Sequence, residues 1–481
     1  MQGLAGAPPV ETHISAVFIA SETVFKLRKA VRLAFVDFTT LAERERTARR
    51  ELELNAPNAP GLYRDVVPVV RHADGTLAIG GAGEIVDWVV RMARVPAGDF
   101  LDEVAAHGAL PPALLDAMAD AVAVLHARNP VVAQDQAVAL RGVAEGNALA
   151  AHQAGLAPTE IAKWLDGMLA LLDRHAAALR IRGETGFVRR AHGDLHLGNM
   201  CLWSGAPVAF DALEFDEALA TIDTGYDLAF LLMDIDVRVD RAAANRVMNR
   251  YLARTGDWAL VPLLPAWLSM RAMVRAHVEA ARAHDDEARR YLARALDYLR
   301  PAAPCVIAIG GLPGSGKSTV ARALAPSLGA APGAVILRSD EIRKRRFGVA
   351  PEQRLPAVGY TPAVSRGVFA EIASAAASIV ASGHSVVADA TFMHTGHRAS
   401  IAAAAGSARF LGAWLDVPMD ELQRRVAART GDASDADLGV LQQAARSGGG
   451  AGIGAGSWLA VDGADTARSV ASILATLAIR P

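Results

Sequence analysis

This chain of 481 residues carries only two cysteines and five lysines, has 5% aromatics, and balances its charges to a net −2. Cys201 and Cys305 lie far apart, each inside an apolar run, which excludes a disulfide framework and predicts two buried, reduced thiols. The near-zero net charge leaves no basic footprint for a polyanion and argues against a nucleic-acid partner. No uninterrupted apolar run approaches the roughly 20 residues that span a bilayer. The opening "MQGLAGAPPVETHIS" lacks the basic and then apolar segments of a secretory signal. A cytoplasmic protein without a membrane partner is the expectation. Apolar residues at 52% and charged ones at 21% are a globular mixture, and the length exceeds what one core fills. Two domains are predicted.

The seam falls near residue 300. "RAMVRAHVEAARAHDDEARRYLARALDYLR", Arg271 to Arg300, reads as helix, and "PAAP" then separates it from the apolar strand "CVIAIGG". Domains over 1–300 and 301–481 follow. The glycine-rich patch from Ser447 to Ser457 reads as a flexible loop, since it does not satisfy G-x-G-x-x-G.

After that strand stands "GLPGSGKST": Gly311, Gly314, Ser315, Gly316, Lys317, Ser318 and Thr319. This is a G-x-x-x-x-G-K-[ST] phosphate loop between a strand and a helix. Glycines let backbone N–H groups curl around a phosphate, the helix N-terminus adds partial positive charge, and Lys317 reaches the outer phosphates. Ser318 suits Mg²⁺. Two further predicted strands end near Asp340 and Asp389, at the carboxyl edge where parallel sheets place ligands. Asp389 suits the metal side and Asp340 a base for an acceptor hydroxyl, although either also suits a helix N-cap. Arg425 and Arg429, four apart, would close over the transferred phosphate or simply form a solvated helix face. Arg343, in "RSDEIRKRRFG", is the candidate for holding an anionic acceptor, with ordinary surface charge as the rival reading.

Residues from about 304 to 481 resemble the small P-loop kinases, the group of gluconate kinases, polynucleotide 5′-kinases and zeta-toxin-like kinases. The S-D-x-x-R run at Ser339, Asp340 and Arg343 is similar to the acceptor-activating segment of several of them. Kinase chemistry is what that resemblance implies.

In the first half, "RRAHGDLHLGNMCL" sets His192, Asp194 and His196 in alternation, a pattern that also suits zinc or iron. The phosphotransfer reading uses other members of the same run. A kinase-like loop needs an aspartate to orient the hydroxyl, an asparagine five positions on, and a later aspartate for metal. Asp194, Asn199 and Asp211 meet that spacing. Upstream, "TVFKLRKAV" offers Lys26, with Lys29 as an alternative, for the α- and β-phosphates of ATP. Glu51 would pair with it, in competition with Glu43, Glu45 and Glu53. Val86 to Pro96 would line the adenine pocket or serve as plain core strand.

"HGDLHLGN", "FDALEFD" and "IDTGYDLAFLLMD" together resemble the aminoglycoside phosphotransferase family over roughly residues 12 to 300. The resemblance implies a two-lobed kinase-like fold, a small antiparallel-sheet lobe plus a helical lobe. Asp194 would be the base, Asn199 and Asp211 Mg²⁺ ligands, and Asp227 a structural acid. One departure is that "THISAVFIASE" offers no glycine-rich loop before Lys26. The fold class expected for the whole is thus α+β followed by α/β, the second domain a P-loop parallel sheet flanked by helices. The expected function is a bifunctional kinase using ATP and Mg²⁺ on a small hydroxylated metabolite, sugar-, polyol- or aminoglycoside-like. A sensing role for one half, or a nucleotide or polynucleotide acceptor for the P-loop half, are the alternatives.

Overall fold

Strands rich in β-branched and aromatic residues open the chain, because such side chains pack well on a pleated surface. The computed structural model describes residues 8–33, 36–108, 110–428, 433–447 and 458–479. Strands β1 (Val10–Glu11), β2 (Ser15–Ile19), β3 (Thr23–Arg28), β4 (Tyr63–Arg71), β5 (Leu77–Ile79) and β6 (Glu84–Ala93) form an antiparallel sheet ordered β1-β2-β3-β6-β4-β5. Helix α1 (Leu41–Asn55) starts at Thr40, whose hydroxyl accepts from the Glu43 N–H, and packs on β6 and β4. Its Ala48 shares a core with Tyr63, Val90 and Met92. Helix α2 (Pro112–Arg128) packs on β8 (Ala206–Ala209) of the hairpin that β8 forms with β7 (Met200–Trp203), directly after the loop that carries Asp194.

The C-terminal sheet is parallel. Strands β9 (Cys305–Gly310), β10 (Val335–Arg338), β11 (Val386–Asp389), β12 (Arg409–Asp416) and β13 (Trp458–Asp462) run in the order β10-β11-β9-β12-β13. Their near-continuous apolar runs are what burial on both faces requires. Ile307, Ile309, Val320, Leu324, Val387 and Leu411 lie in one core here. Both halves thus have the fold class that the sequence predicts.

The segment Arg271–Arg300 is not one helix. It lies in α3 (Leu264–Ala281) and α4 (Asp285–Tyr298), which pack on each other across a turn where Ala283 takes φ 61°. A left-handed residue cannot continue an α-helix, so the apolar period resumes on a second element.

Two compact units are present: residues 1–141 with 176–234, and residues 142–175 with 235–481. They do not follow the division expected at 300. Within the second unit, β10 is an edge strand, and a helix over residues 241–255 satisfies its outer side. The Ile336 N–H donates to Asn249 Oδ1 at 2.7 Å, and Asn245 Nδ2 donates to the Ala334 carbonyl at 3.1 Å. Covering an exposed edge in this way ties the upstream helices to the sheet. Trp164, fully buried, likewise donates to Ser269 at 2.9 Å in this unit.

Helix α5 (Lys317–Leu324) follows the phosphate loop, α6 (Ser339–Arg346) follows β10, and α8 (Met419–Ala428) follows β12. Helix α7 (Pro362–Ala381) has the length and composition to cross a bilayer, yet buries Val368, Ile372, Ala376 and Ile379 and packs against β10 and β11.

Candidate active sites

The phosphate loop turns through residues that only glycine suits. Gly314 (φ 85°) has the Leu422 carbonyl oxygen 2.9 Å from where a Cβ would stand. Gly316 (φ 86°) caps α5 and starts the helix at Lys317. Lys317 Nζ donates to the carbonyls of Gly311 (3.0 Å) and Leu312 (2.9 Å), and so lies over the loop. The Ser318 hydroxyl donates to Asp389 at 2.6 Å. A hydroxyl and a carboxylate at a helix N-terminus are an all-oxygen donor set, which fits Mg²⁺.

A cavity of about 690 Å³ opens over this loop. Lys317, Ser318, Asp389 and Arg425 line it, together with Asp340, Arg343 and Tyr360. Asp340 sits in the first turn of α6, and no side-chain cap bond marks that helix start. Loss of hydration raises its carboxyl above the ordinary aspartate range, with Asp389 adding to the rise and Arg338 opposing it. Arg343 is 6% exposed. Its Nη1 donates to the Gly359 carbonyl at 2.7 Å and its guanidinium lies 4.9 Å over the Tyr360 ring. Arg343 is therefore not surface charge. Arg425 binds Glu421 at 2.6 Å and keeps its place at the cavity wall, while Arg429 lies outside the described residues.

Sequence reasoning missed Asp435, which gathers this rim. It accepts from Lys344 Nζ (2.9 Å), the Leu355 N–H (2.9 Å) and the Tyr360 hydroxyl (2.5 Å). Lys344 is fully buried. Nothing local in "GDASDAD" marks this aspartate, because its partners lie far away in the chain.

The first unit holds the other set. Strand alternation puts Lys26 and Arg28 on one face of β3, toward α1. Lys26 Nζ reaches Glu51 Oε1 at 2.8 Å and also binds Asp211. Lys29 instead pairs with Glu11 at the surface, and Glu43, Glu45 and Glu53 are spent on arginines of their own helix. Burial would lower the Lys26 ammonium, but Asp211 and Glu51 hold it above its ordinary value. Burial would also raise the Asp211 carboxyl, and Lys26 and Arg28 hold it down.

Asp194 and Asn199 meet directly, Asn199 Nδ2 donating to the Asp194 carboxylate and carbonyl, each at 2.9 Å. Asp227 accepts from the N–H groups of His192 (3.0 Å) and Gly193 (2.9 Å) and so fixes the loop from the following helix. The two histidines are occupied. His192 Nε2 bonds the Phe210 carbonyl at 2.9 Å, and burial lowers its pKa and keeps it neutral. His196 Nδ1 accepts from the Gly198 N–H at 3.1 Å. Asn199 and Asp211 offer oxygen donors, again a set for Mg²⁺ rather than zinc.

Four residues here escaped sequence reasoning: Arg28, Asn55, Tyr63 and Glu214. Asp211 takes φ 60°. Its N–H donates to the Tyr63 hydroxyl at 3.0 Å, and the next N–H, of Ala212, donates to Asn55 Oδ1 at 2.9 Å. The position of Arg28 two after Lys26 was the one signal on offer.

A P-loop under a parallel sheet, and a lysine, glutamate and aspartate set beside an Asp–Asn loop, together define an ATP-dependent kinase. A family model described as an AAA domain matches residues 306–448. Over 449 residues the chain is 30% identical to protein Rv2004c of Mycobacterium tuberculosis strain H37Rv and to protein Mb2027c of Mycobacterium bovis, covering 89% of this chain and 87% of each relative. The chain belongs to the family of these mycobacterial proteins. Among solved structures, a gluconokinase from Sinorhizobium meliloti 1021 is 25% identical, covering 36% of this chain and 92% of its own, with TM-score 0.28. A thermostable mutant of aminoglycoside phosphotransferase APH(4)-Ia is 13% identical, covering 61% and 93%, with TM-score 0.40.

Proposed function

We propose that the protein is a bifunctional phosphotransferase that moves the γ-phosphoryl group of ATP to hydroxyls of small metabolites, with one site in residues 1–300 and a second in 301–481. The observation that carries this reading is the Ser318–Asp389 bond of 2.6 Å beside Lys317, in the wall of a cavity that Asp340 and Arg343 also line.

In the P-loop half, backbone N–H groups of residues 314–319 cradle the phosphates and Lys317 lies along the outer ones. Arg425 faces the transferred group. Arg343 holds an anionic part of the acceptor and orients its hydroxyl toward Asp340. The acceptor oxygen bonds to the γ-phosphorus, the bond to ADP breaks, and Asp340 takes the hydroxyl proton. A carboxylate of raised pKa is the better base for that step. Ser318 and Asp389 are the residues for Mg²⁺, which when bound neutralises charge on the phosphate oxygens.

In the kinase-like half, Asp194 is the base, Lys26 steadies the phosphates, and Glu51 holds Lys26. Asn199 and Asp211 are the residues for Mg²⁺. One observation favours a second reading of this half as a nucleotide-sensing module. The turn before β3 is a tight corner, Ala20 N–H to the Thr23 carbonyl at 2.8 Å, and supplies no loop to cover phosphates.

The test is to incubate the purified protein with a metabolite extract and γ-labelled ATP and to identify by mass spectrometry what gains phosphate. Parallel reactions use Asp194→Asn and Lys317→Ala. Each variant is expected to lose a different product. A full product set from both variants would overturn the assignment, and a full set from Asp194→Asn alone would favour the sensing role.

A further inference from the structure

Resting on the kinase reading of the first unit, we infer that Arg28 is a positioning residue that locks Glu51 and, through Glu214, the Asp211 segment into one rigid unit. Glu51 is fully buried and divides its carboxylate, Oε1 taking Lys26 and Oε2 taking Arg28 Nη2, each at 2.8 Å. The same Arg28 Nη2 also binds Glu214, which is 4% exposed and stands three residues after Asp211. Arg28 Nη1 is held by the Ser15 hydroxyl of the neighbouring strand at 2.6 Å. The guanidinium therefore has its aim fixed from β2 and cannot follow either carboxylate if one moves.

Segment 211–214 needs such holding. Asp211 is a non-glycine residue in left-handed conformation, a strained state that persists only when neighbours over-determine it. Three elements of the sheet lobe do so: β4 through Tyr63, α1 through Asn55, and β3 through Arg28. Asn55 reaches only the Glu51 carbonyl, at 2.9 Å, whereas Arg28 grips the Glu51 carboxylate itself, so Arg28 couples the Lys26–Glu51 ion pair to the segment that carries Asp211. Lysine would keep the charge but lose the second guanidinium nitrogen that the Ser15 hydroxyl holds, so it would replace Arg28 only in part.

The titration of Glu214 gives a readout that a merely structural role would not. Burial pushes its carboxyl up to about 7 against the pull of Arg28, with Glu51 and Asp211 adding to the rise and Lys26 opposing it. Below that pH Glu214 is neutral and its ion pair with Arg28 is lost; above it the pair is complete.

The experiment uses the full chain carrying Lys317→Ala, so that nucleotide binding reports on the first unit. Affinity for Mg–ATP is measured from pH 5.5 to 8.5, together with a thermal melt, before and after adding Arg28→Met, Arg28→Lys or Glu214→Gln. Expected are a weakening of about 10- to 100-fold for Arg28→Met, as for other residues that orient metal ligands, and partial recovery with Arg28→Lys. Glu214→Gln should flatten the fall in affinity below neutral pH. If Arg28→Met does not fold, Arg28→Lys and Glu214→Gln decide alone. Unchanged affinity and an unchanged pH profile in both would overturn the inference. Loss of all Mg–ATP binding in Lys317→Ala itself would overturn the kinase reading of this unit and the inference with it.

Discussion

Ser318 Oγ stands 2.6 Å from Asp389 Oδ2, which brings the first turn of α5 to the end of β11. Arg338 Nε lies 3.6 Å from the same carboxylate oxygen, which sets a guanidinium beside the carboxylate. Removing either oxygen removes a donor for Mg²⁺ without emptying the core. Ser318→Ala and Asp389→Asn, each placed on Asp194→Asn, should lower ATP turnover about 10- to 100-fold at fixed Mg²⁺. Raising Mg²⁺ should recover part of the loss in Ser318→Ala. A magnesium titration of ADP release checks this.

As the proposed base, Asp340 should give the P-loop reaction its pH dependence. Its carboxyl is raised by lost hydration, so it takes up protons at a higher pH than an ordinary aspartate. The rate should rise with pH as Asp340 ionises, with the acid limb above the ordinary position near 3.9. Stability moves the opposite way: the contribution of a raised carboxyl is complete at low pH and is lost as pH climbs through the folded value. Asp340→Asn should remove the limb and cost about 100- to 10,000-fold in rate. Initial rates across pH, paired with denaturant melts, separate the two effects.

Lys26 and Lys29 differ only by register in the sequence but sit in opposite surroundings. Lys29→Met breaks an exposed pair with Glu11 and should cost about 0 to 1 kcal/mol. Lys26→Met leaves Glu51 and Asp211 without their shared cation and should abolish Mg–ATP binding in a Lys317→Ala background. Calorimetry on both variants tests the contrast.

Lys344 and Asp435 form a buried pair at the cavity rim, at 0% and 10% side-chain exposure. Lys344→Met removes the ammonium from Asp435, which keeps its bonds from the Leu355 N–H and the Tyr360 hydroxyl, and should cost about 1.5 to 3 kcal/mol, the range for a hydrogen bond to a charged group. Tyr360, which shares Asp435, should then release Arg343, so acceptor KM rises while ATP KM holds. Steady-state kinetics on the product found by mass spectrometry decides.

Both thiols should resist alkylation in the native protein. Cys201 and Cys305 are buried, and burial pushes the Cys201 thiol up to about 12. Iodoacetamide labelling followed by mass should show no adduct until denaturant is added.

What was legible in the sequence had local grammar. The phosphate loop, the Asp194-to-Asn199 spacing and the strand alternation around Lys26 each depend on a few neighbouring residues, and each is where the pattern puts it. Among the four glutamates that competed in the sequence, Glu51 is the one that reaches Lys26, while the other three pair with arginines of their own helix. Arg28, Glu214 and Asp435 were not legible, because their roles come from partners brought together only by the fold. The turn at Ala283 was missed for a related reason: alanine favours helix, and packing of α3 on α4 overrides that preference. The compact units differ from the division at 300 because Asn245 and Asn249 finish a strand edge that begins 90 residues or so later, a pairing no periodicity reveals.

Arg338 and Asp389 are register partners across β10 and β11. Side chains in a strand change face at every step, so adding or deleting one residue in 386–388 would turn Asp389 away from Ser318 while leaving the strand as apolar as before. Such an indel would spare overall shape and silence the loop. Substitutions among valine, isoleucine and alanine at these fully buried positions would cost about 1 to 3 kcal/mol through cavities or overpacking, yet leave the aim of Asp389 unchanged. Composition here tunes stability, and length tunes function.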